Sequence, residues 1–304
     1  MSGLTTLGAV GAVWLDGALV EPGEATLSVL SFGLHNAFCV FEGIRVHSGR
    51  PFAVAMHAQR LCDSAHEIGM SLPWTAPQIV AAVDTAVAAA GFTQAYVRPV
   101  AWLGDERIGI DGSGTTVHLA IGVVRWPESP ASRPPLRLGL SRWTRPAPTM
   151  APVGAKTSAS YLVGSLALSQ ARADGYDDAL LLDHRGYLAE ATGANIFLVR
   201  GGELVTPIAD TFLDGITRRT VLRLAADAGL PVRVERVTLD DLAAADEVFL
   251  TGTASGVAAV GHAAGTDYPA DRPVTELLRG RYLDLVHAHR TRTGSEEASC
   301  TRSA

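Results

Sequence analysis

The feature that most limits how this chain can fold is a proline-rich stretch near its middle. Residues 126–135 read Trp-Pro-Glu-Ser-Pro-Ala-Ser-Arg-Pro-Pro, with four prolines in ten positions. Proline lacks a backbone donor and fixes φ, so such a run interrupts helices and sheets and stiffens the chain. We therefore predict a linker at 127–135, between a smaller N-terminal domain (1–126) and a larger domain (136–290). The polar, small-residue stretch 291–304 is predicted to be a disordered tail.

Helix and strand patterns alternate on both sides of this linker. Asp16-Gly17 between two apolar runs predicts a β-hairpin near the start of the chain. The predicted helices are 57–68, 76–90, 160–173 and 216–228, and the main predicted strands are 95–102, 117–125, 179–182, 195–199 and 248–250. This mixture predicts an α+β protein of two domains, with a cleft between them where a ligand would bind.

Charge and cysteine content exclude several classes of function. The formal net charge is −6 at pH 7, so a nucleic acid or an anionic membrane would not attract the chain. No apolar run reaches the ~18–20 residues that cross a bilayer, and the N-terminal residues lack a signal-peptide pattern, so we expect a cytoplasmic protein. The three cysteines form neither a disulfide framework nor a metal-binding spacing, and no metal is expected.

Lys156 is the only lysine among 304 residues, whereas 24 arginines carry the other basic side-chain charges. A bias toward arginine codons explains why other lysines are missing, but it does not explain why one remains. Arginine stays protonated, so it cannot replace a primary amine that must lose its proton and form a Schiff base. Lys156 is therefore the candidate catalytic residue, with survival by chance as the alternative.

Two residues near Lys156 or downstream of it suit a flat aromatic ligand. Small side chains surround the lysine, and Tyr161 follows five residues later, where its hydroxyl would reach an oxygen on a bound ring. Glu190 lies between a predicted hairpin and an apolar strand, and a carboxylate there is costly to bury unless it is paired, for example with a protonated ring nitrogen. The alternatives are core packing for Tyr161 and a solvated hairpin edge for Glu190.

Two segments have the composition of phosphate-binding turns. Leu213-Asp214-Gly215-Ile216-Thr217-Arg218 places a glycine before a predicted helix, whose first N–H groups are unpaired and favour an anion. Thr251-Gly252-Thr253-Ala254-Ser255-Gly256 is a second turn rich in glycine and hydroxyl groups. Arg60, on the first predicted helix, either adds guanidinium donors to a phosphate or is solvated on an exposed helix face.

The order and spacing of these segments resemble the fold-type IV pyridoxal-phosphate (PLP) enzymes. This group is the aminotransferase class IV family, and the resemblance is greatest to its branched-chain amino-acid aminotransferases, from about Val13 to Val260. It is carried by Leu34-His35, Val40-Phe41-Glu42-Gly43-Ile44-Arg45, Gln59-Arg60-Leu61, Ala95-Tyr96-Val97-Arg98-Pro99, Ala155-Lys156, Tyr161-Leu162, Gly186-Tyr187, Glu190, Asn195-Ile196-Phe197, Gly215-Ile216-Thr217-Arg218, Asp246-Glu247-Val248-Phe249 and Gly252-Thr253-Ala254. The resemblance implies a smaller N-terminal α/β domain and a larger C-terminal domain with a barrel-like β core.

The resemblance also implies a PLP cofactor and a role for each candidate residue. Lys156 would form the internal aldimine and carry the proton between substrate Cα and cofactor C4′, in ping-pong transfer from an L-amino acid to a 2-oxo acid such as 2-oxoglutarate. The residues assigned to the cofactor are Arg60, Ile216, Thr217 and Thr253 for its phosphate, Glu190 for its pyridine nitrogen, Tyr161 for its ring oxygen and Leu213 for its ring face. Those assigned to the substrate are Asn36, Phe41, Tyr96, Arg98, Thr253 and Ala254, with Arg98 at the position that binds the distal carboxylate of glutamate or 2-oxoglutarate.

Two departures from the branched-chain pattern bear on the substrate. Asn36 stands where a tyrosine usually follows the Leu-His pair. The interdomain loop carries prolines, Ser129 and Ser132 in place of an aromatic, glycine-containing stretch. Both changes predict a substrate side chain that is more polar or bulkier than that of leucine, isoleucine or valine.

Two other kinds of function remain as alternatives. One is another enzyme on the same fold: a D-amino-acid or amine aminotransferase, or an aminodeoxychorismate lyase, against which Arg98 and Thr253-Ala254 argue. The other is a PLP-binding or phosphate-binding module without turnover. Because members of the family form dimers, the resemblance implies a homodimer.

Overall fold

A computed structural model describes residues 8–127 and 133–291 of the chain. Residues 128–132 of the predicted linker and 292–304 of the predicted tail lie outside the described residues, as do Ser129 and Ser132. The described part contains two β-sheets, and each sheet is built entirely from strands on one side of the proline-rich stretch. The domain boundaries at 126 and 136 stay a prediction.

The first sheet has seven strands, all antiparallel to their neighbours, in the order β2-β1-β7-β6-β4-β5, with β3 also paired to β6. Its elements are β1 (Val10–Leu15), β2 (Ala18–Val20), α1 (Phe32–His35), β3 (Cys39–Phe41), β4 (Ile44–His47), β5 (Arg50–Pro51), α2 (Val54–Glu67), α3 (Ala76–Ala90), β6 (Gln94–Leu103) and β7 (Val117–Arg125). Helices α2 and α3 supply buried apolar residues to the core on one face of the sheet.

Alternation along β6 decides which side chains this sheet offers to a ligand. Ala95, Val97 and Ala101 are buried in the core with α2 and α3. Since successive side chains in a strand point to opposite faces, Tyr96 and Arg98 lie on the other face, where they line a cavity. The same rule buries Val40 of β3 and turns the neighbouring Phe41 toward that cavity.

The second sheet closes into a six-stranded barrel. The pairings run β10-β9-β8-β15-β14-β11, and β11 pairs again with β10, while β12, β13 and β16 lie outside the ring. Its elements are β8 (Leu136–Leu140), α4 (Ser158–Ala173), β9 (Asp178–Leu182), β10 (Leu188–Ala191), β11 (Asn195–Arg200), β12 (Glu203–Pro207), α5 (Ile216–Asp227), β13 (Val232–Glu235), α6 (Leu239–Ala243), β14 (Glu247–Gly252), β15 (Gly256–Ala263), β16 (Thr266–Asp267) and α7 (Pro273–Thr291).

Both faces of the barrel wall are covered, which explains the nearly continuous apolar sequence of β11. Ile196 and Leu198 are fully buried in the cluster that includes Leu138 and Leu180 of the barrel. Phe197 and Val199 point outward and pack in a second cluster with residues of α5 and α7. The barrel-like core implied by the sequence resemblance is confirmed.

Most predicted elements are confirmed, and the errors include two helix starts and a missed helix. The hairpin turns at Asp16 and Gly17, both with positive φ, and α3 has both of its predicted ends. Helix α2 begins at Val54, three residues before the predicted start, and α4 begins at Ser158 instead of Ser160. Helix α7 was missed, although Pro273 at its start and apolar residues spaced by four from Leu278 are helical signals.

Within residues 8–127 and 133–291, none of the helices combines the length and apolarity needed to span a membrane. The same part of the chain contains no cluster of three His, Cys, Asp or Glu side chains that would hold a metal ion.

Candidate active site

One cavity lies between the two sheets and has two walls of different origin. Residues before the proline-rich stretch form what we call the first-sheet wall, which comprises Phe41, Gly43, Arg60, Tyr96 and Arg98. Residues of the barrel and its connections form the barrel wall, which comprises Glu190, Leu213, Ile216, Thr217 and the turn from Thr251 to Ala254. With Lys156 and Tyr161, these residues include every predicted site residue except Asn36.

Lys156 lies where the two walls meet and is held by its backbone from the first-sheet side. Its N–H donates to Ser64 Oγ of α2 at 3.0 Å, and its carbonyl accepts from the N–H of Phe41 at 3.1 Å. The neighbouring Thr157 caps α4 by accepting the N–H of Ser160 at 3.4 Å. The lysine therefore belongs to the second half of the sequence but is oriented by the first.

The amine of Lys156 is easier to deprotonate than a lysine in water. Burial lowers its pKa to about 8, the negative charge of Glu42 opposes this, and the charge of Arg60 adds to the lowering. Nζ donates to the hydroxyl of Tyr161 and lies 5.0 Å from the centre of the Phe41 ring. The amine is therefore less completely protonated near neutral pH than a lysine in water, and its neutral form is the nucleophile or proton acceptor.

Tyr161 remains protonated under the same conditions. It lies in the first turn of α4, one turn from the lysine, and its ring meets the Phe41 ring edge-on at 4.7 Å. Burial raises the pKa of its hydroxyl to about 12, and the charge of Glu190 contributes to that rise. The hydroxyl is thus available to hydrogen-bond either the amine or an oxygen of a bound ligand.

Glu190 is buried in the barrel wall and is held by two partners that the sequence reasoning missed. Its Oε1 forms an ion pair with Nη2 of Arg145 at 2.5 Å, and its Oε2 accepts from Nδ2 of Asn195 at 3.2 Å. Burial raises the pKa of Glu190, and the charge of Arg145 opposes this rise. Arg145 also donates to the carbonyl of Ser160 at 3.0 Å. A buried carboxylate signals that a partner exists, but the spacing in the sequence does not identify it.

The barrel wall also contains unpaired donors of the kind that bind a phosphate. Helix α5 starts at Ile216, and no side chain caps its first N–H groups. The N–H of Gly215 donates to Asn195 Oδ1 at 3.1 Å, and a Cβ at this glycine would come within 2.2 Å of that oxygen. In the second turn, the buried Thr251 Oγ1 has no hydrogen-bond partner among the described residues. The two predicted phosphate-binding segments therefore face the same cavity.

Arg60 reaches the cavity, but one edge of its guanidinium is already bound. Nε donates to Oε1 of Glu42 at 2.6 Å and Nη2 donates to Oε2 at 2.8 Å. Glu42 is fully buried, and its Oε2 also accepts from Nδ1 of His57 at 2.7 Å. Neither interpretation of Arg60 from the sequence included this ion pair.

The first-sheet wall brings three of the predicted substrate residues together. The guanidinium of Arg98 lies 4.7 Å from the Phe41 ring centre and 5.4 Å from that of Tyr96. Gly43 allows the hydroxyl of Tyr96 to approach the backbone, because a Cβ there would come within 1.8 Å of that oxygen. Asn36 lies apart from the cavity, is exposed, and donates to the carbonyl of Gly109 at 3.1 Å.

Comparison with known proteins agrees with this geometry. A family model described as amino-transferase class IV matches residues 39–263. The branched-chain-amino-acid aminotransferase of Pseudomonas aeruginosa is 37% identical over 285 residues, which cover 91% of this chain and 93% of that protein. A probable branched-chain-amino-acid aminotransferase of Rickettsia felis is 39% identical over 243 residues, which cover 80% of this chain and 83% of the relative.

Two solved structures extend the comparison to the fold. The branched-chain aminotransferase of Thermoproteus uzoniensis with norvaline has a TM-score of 0.88 at 37% identity, covering 92% of this chain and 96% of the other. A branched-chain amino acid aminotransferase from the organism abbreviated T.th., with pyridoxamine 5′-phosphate, has a TM-score of 0.90 at 35% identity, covering 93% and 96%.

The chain therefore belongs to the aminotransferase class IV family. It is a PLP-dependent aminotransferase with the fold-type IV architecture, as the sequence resemblance implied. Its substrates include amino acids, and these relatives do not favour the other activities considered on this fold.

Proposed function

We propose that the protein transfers the amino group of a branched-chain-like L-amino acid to a 2-oxo acid such as 2-oxoglutarate, with Lys156 as the catalytic residue. The observation that carries this proposal is the amine of Lys156, whose pKa is lowered to about 8 in a cavity that also holds unpaired phosphate donors. The sequence has no other lysine, so no other side chain can take this role.

The donors that face the cavity fit the phosphate of PLP. The uncapped start of α5 supplies the N–H groups of Ile216 and Thr217, and the facing turn supplies Thr253. Arg60 adds a positive charge from the first-sheet wall. Backbone N–H groups and a guanidinium together form the donor set that phosphates bind in proteins.

The remaining cofactor residues fit an aromatic ring. We assign Glu190 to the pyridine nitrogen, because Arg145 and Asn195 hold its carboxylate in place and the charge of Arg145 opposes the rise in pKa that burial causes. Tyr161 is assigned to the ring oxygen, since its hydroxyl stays protonated and is ready to donate. Leu213 is assigned to one ring face.

Each residue then has a defined task in the transfer. When bound, PLP supplies an aldehyde for covalent attachment and a ring that stabilises the electron pair left at the substrate Cα. Lys156 takes the proton from Cα and returns one during the second half of the reaction, for which a pKa near 8 is suitable. The N–H groups of Thr253 and Ala254 bind the substrate carboxylate, and Phe41 and Tyr96 line the space for its side chain.

Arg98 supports a dicarboxylate as one of the two substrates. Its guanidinium lies on the Phe41 and Tyr96 rings and is exposed to the cavity, so it is able to meet a distal carboxylate. The relatives are named for branched-chain amino acids, and one structure holds norvaline, which supports an apolar side chain for the other substrate. The sequence departures at Asn36 and in the interdomain loop are the reason to test substrates with a more polar or bulkier side chain as well.

Covalent labelling tests the catalytic assignment. Purified protein should absorb as a PLP adduct, and borohydride should fix the cofactor to one peptide that contains Lys156. The variant Lys156→Arg keeps the positive charge but has no amine that can lose its proton, so we expect transamination to fall by at least about 10⁴-fold with the fold intact. A colourless protein that takes up no PLP would contradict the proposal.

A substrate panel tests the chemical assignment. We expect ping-pong kinetics with L-glutamate as donor and branched-chain or more polar 2-oxo acids as acceptors. Each L-amino acid should be paired with its D-enantiomer at equal concentration. Activity with the D-forms alone would replace this proposal with the D-amino-acid aminotransferase.

We also propose that the protein acts as a homodimer in the cytoplasm, with domains at 1–126 and 136–290. An exposed apolar surface supports the dimer: Val29 is 76% exposed, Ile108 85% and Ile110 96%. The bond between Asn36 and the carbonyl of Gly109 brings these two segments together. Sedimentation should give twice the chain mass, and Ile110→Asp should shift the protein toward monomer; a wild-type monomer would contradict this part.

A further inference from the structure

The face of α2 that points into the molecule connects three parts of the site. His57, Arg60 and Ser64 follow at spacings of three and four, so their side chains lie on one side of the helix. His57 and Arg60 both bind Glu42, and Ser64 accepts the backbone N–H of Lys156 at 3.0 Å. This face therefore connects the loop between β3 and β4 to the catalytic lysine.

Glu42 occupies the centre of this arrangement and accepts four hydrogen bonds. Its Oε1 accepts from Nε of Arg60, and its Oε2 accepts from Nη2 of Arg60, Nδ1 of His57 and, at 3.3 Å, the N–H of Gly43. The side chain is completely buried, so water cannot replace these donors. Three of the four bonds come from the side chains of His57 and Arg60, so these two residues are the main partners of the carboxylate.

The charges of the cluster balance. Hydrogen bonds from His57 and Arg60 hold the pKa of Glu42 at about 2 despite its burial, so it is negative throughout the physiological range. Burial lowers the pKa of His57, and the charge of Glu42 opposes this. Because Glu42 only accepts, a neutral His57 carries its proton on Nδ1. One negative and one positive charge remain, which leaves Arg60 anchored and the cluster neutral.

We propose that Glu42, supported by His57, is a positioning residue that fixes Arg60 for the cofactor phosphate. The ion pair binds the Nε–Nη2 edge of the guanidinium, and its remaining N–H groups are left for the cavity, which Arg60 lines. A flexible arginine loses side-chain entropy when it binds a ligand, and Glu42 removes that cost in advance. The inference rests on the proposed function, because it assumes that a phosphate binds at this wall.

The test compares two ligands that differ only by the phosphate. Cofactor-depleted full-length protein is titrated with PLP and with pyridoxal, followed by absorbance and by fluorescence quenching. For Glu42→Gln we expect PLP affinity to fall by about 10- to 100-fold, the usual range for a charged hydrogen bond, and pyridoxal affinity to stay the same. Glu42→Asp should recover part of the loss, and Gln59→Ala, on the exposed side of α2, should match wild type.

A double-mutant cycle separates positioning from a general effect on the fold. Arg60→Met should weaken PLP binding, and adding Glu42→Gln to it should weaken binding no further, because the two residues act on the phosphate as one unit. Additive losses, an equal loss for pyridoxal, or unchanged PLP affinity in Glu42→Gln would each overturn the inference.

A second variant covers the case in which Glu42→Gln does not fold. His57→Leu keeps the ion pair and removes one neutral hydrogen bond, so we expect about a fivefold loss for PLP and no loss for pyridoxal. Equal effects on both ligands would overturn the inference here as well. Wild-type protein that binds neither ligand would contradict the proposed function itself, which is a different outcome.

Discussion

The barrel wall presents backbone N–H groups and one buried carboxylate, whereas the first-sheet wall presents two arginines, of which Arg98 lies against aromatic rings. In the barrel wall, the start of α5 and the turn after β14 are fixed by strands and a helix that pack on both sides. In the first-sheet wall, Arg98 lies on Phe41 and Tyr96, and it forms no ion pair with any residue in 8–127 or 133–291. The donors of the barrel wall therefore belong to backbone that is packed on both sides, whereas Arg98 of the first-sheet wall is a long side chain placed by ring contacts.

This difference suits the two ligands of an aminotransferase. The cofactor stays the same through both half-reactions, so donors that cannot move lower the cost of binding it. The amino acid and the 2-oxo acid differ in side chain, so an arginine with several rotamers is able to meet a carboxylate or withdraw from an apolar group. We therefore expect changes to the cofactor residues of the barrel wall, such as Glu190, to affect all substrates equally, and changes to Arg98 of the first-sheet wall to affect substrates selectively.

Among the residues of the two walls, the carboxylate of the barrel wall should give the largest effect. Glu190→Gln removes the negative charge, leaves Arg145 buried without its counter-ion, and should lower kcat by about 10²–10³-fold for every donor, the cost of removing one preorganised charged group. Steady-state kinetics with three donors of different side chain measure this. A loss confined to one donor would contradict the division between the two walls.

The next effect should be selective. Arg98→Met keeps an apolar side chain of similar length over Phe41 but removes the guanidinium. We expect kcat/KM to fall by about 10- to 100-fold for glutamate and 2-oxoglutarate, and to change little for monocarboxylic substrates. Equal losses for both groups would show that Arg98 supports the wall instead of recognising a carboxylate.

A smaller effect should follow from crowding the start of α5. In Gly215→Ala the new Cβ would meet Oδ1 of Asn195 at 2.2 Å, so the helix start must shift. Overpacking typically costs ~1–3 kcal/mol, and we expect PLP affinity to fall by about tenfold. Gly280→Ala in α7, where a Cβ meets nothing within 4 Å, is the matched control and should bind PLP normally.

The smallest effect is on folding stability, and it comes from the ionisation of Lys156, which lies between the walls. Its pKa is about 8 in the folded protein and near 10.5 in the unfolded chain, so the unfolded chain binds more protons between these values. Relative to Lys156→Met, cofactor-depleted wild type should therefore become more stable as the pH rises from 8 to 10.5. Because the amine still reaches the cavity, we expect about 1 kcal/mol, or about 2 °C in Tm. If the stability of wild type relative to Lys156→Met fell as the pH rose, the burial of this amine would be contradicted.

The contacts between neighbours in the chain could be predicted, and those between distant segments could not. Lys156 is one turn from Tyr161, and Gly215 directly precedes α5, so local spacing was enough to propose their roles. Arg145 and Glu190 are 45 positions apart, and nothing in either segment identifies the other as its partner. The same holds for Glu42 and Arg60, because a pairing across elements depends on how those elements pack.

Asn36 shows a different limit, which applies to residues assigned from a family pattern. The sequence resemblance marked it as a substrate residue, and the structure places it on the surface beside Gly109, outside the cavity of its own chain. Its role at a substrate therefore stays a prediction. A residue carried over from a family pattern keeps its place in the chain, but the cavity it serves depends on tertiary and quaternary contacts.

The sequence alone determined that a single side-chain amine exists, that the chain alternates helices and strands around a proline-rich stretch, and that two turns favour an anion. These are properties of residue type and local spacing, and they do not depend on how the chain folds. Only the tertiary structure decided that the amine loses water, that Glu190 is held by Arg145, and that Arg60 is anchored by Glu42. Burial and charge pairing depend on distances between segments far apart in the chain, and packing alone fixes those distances.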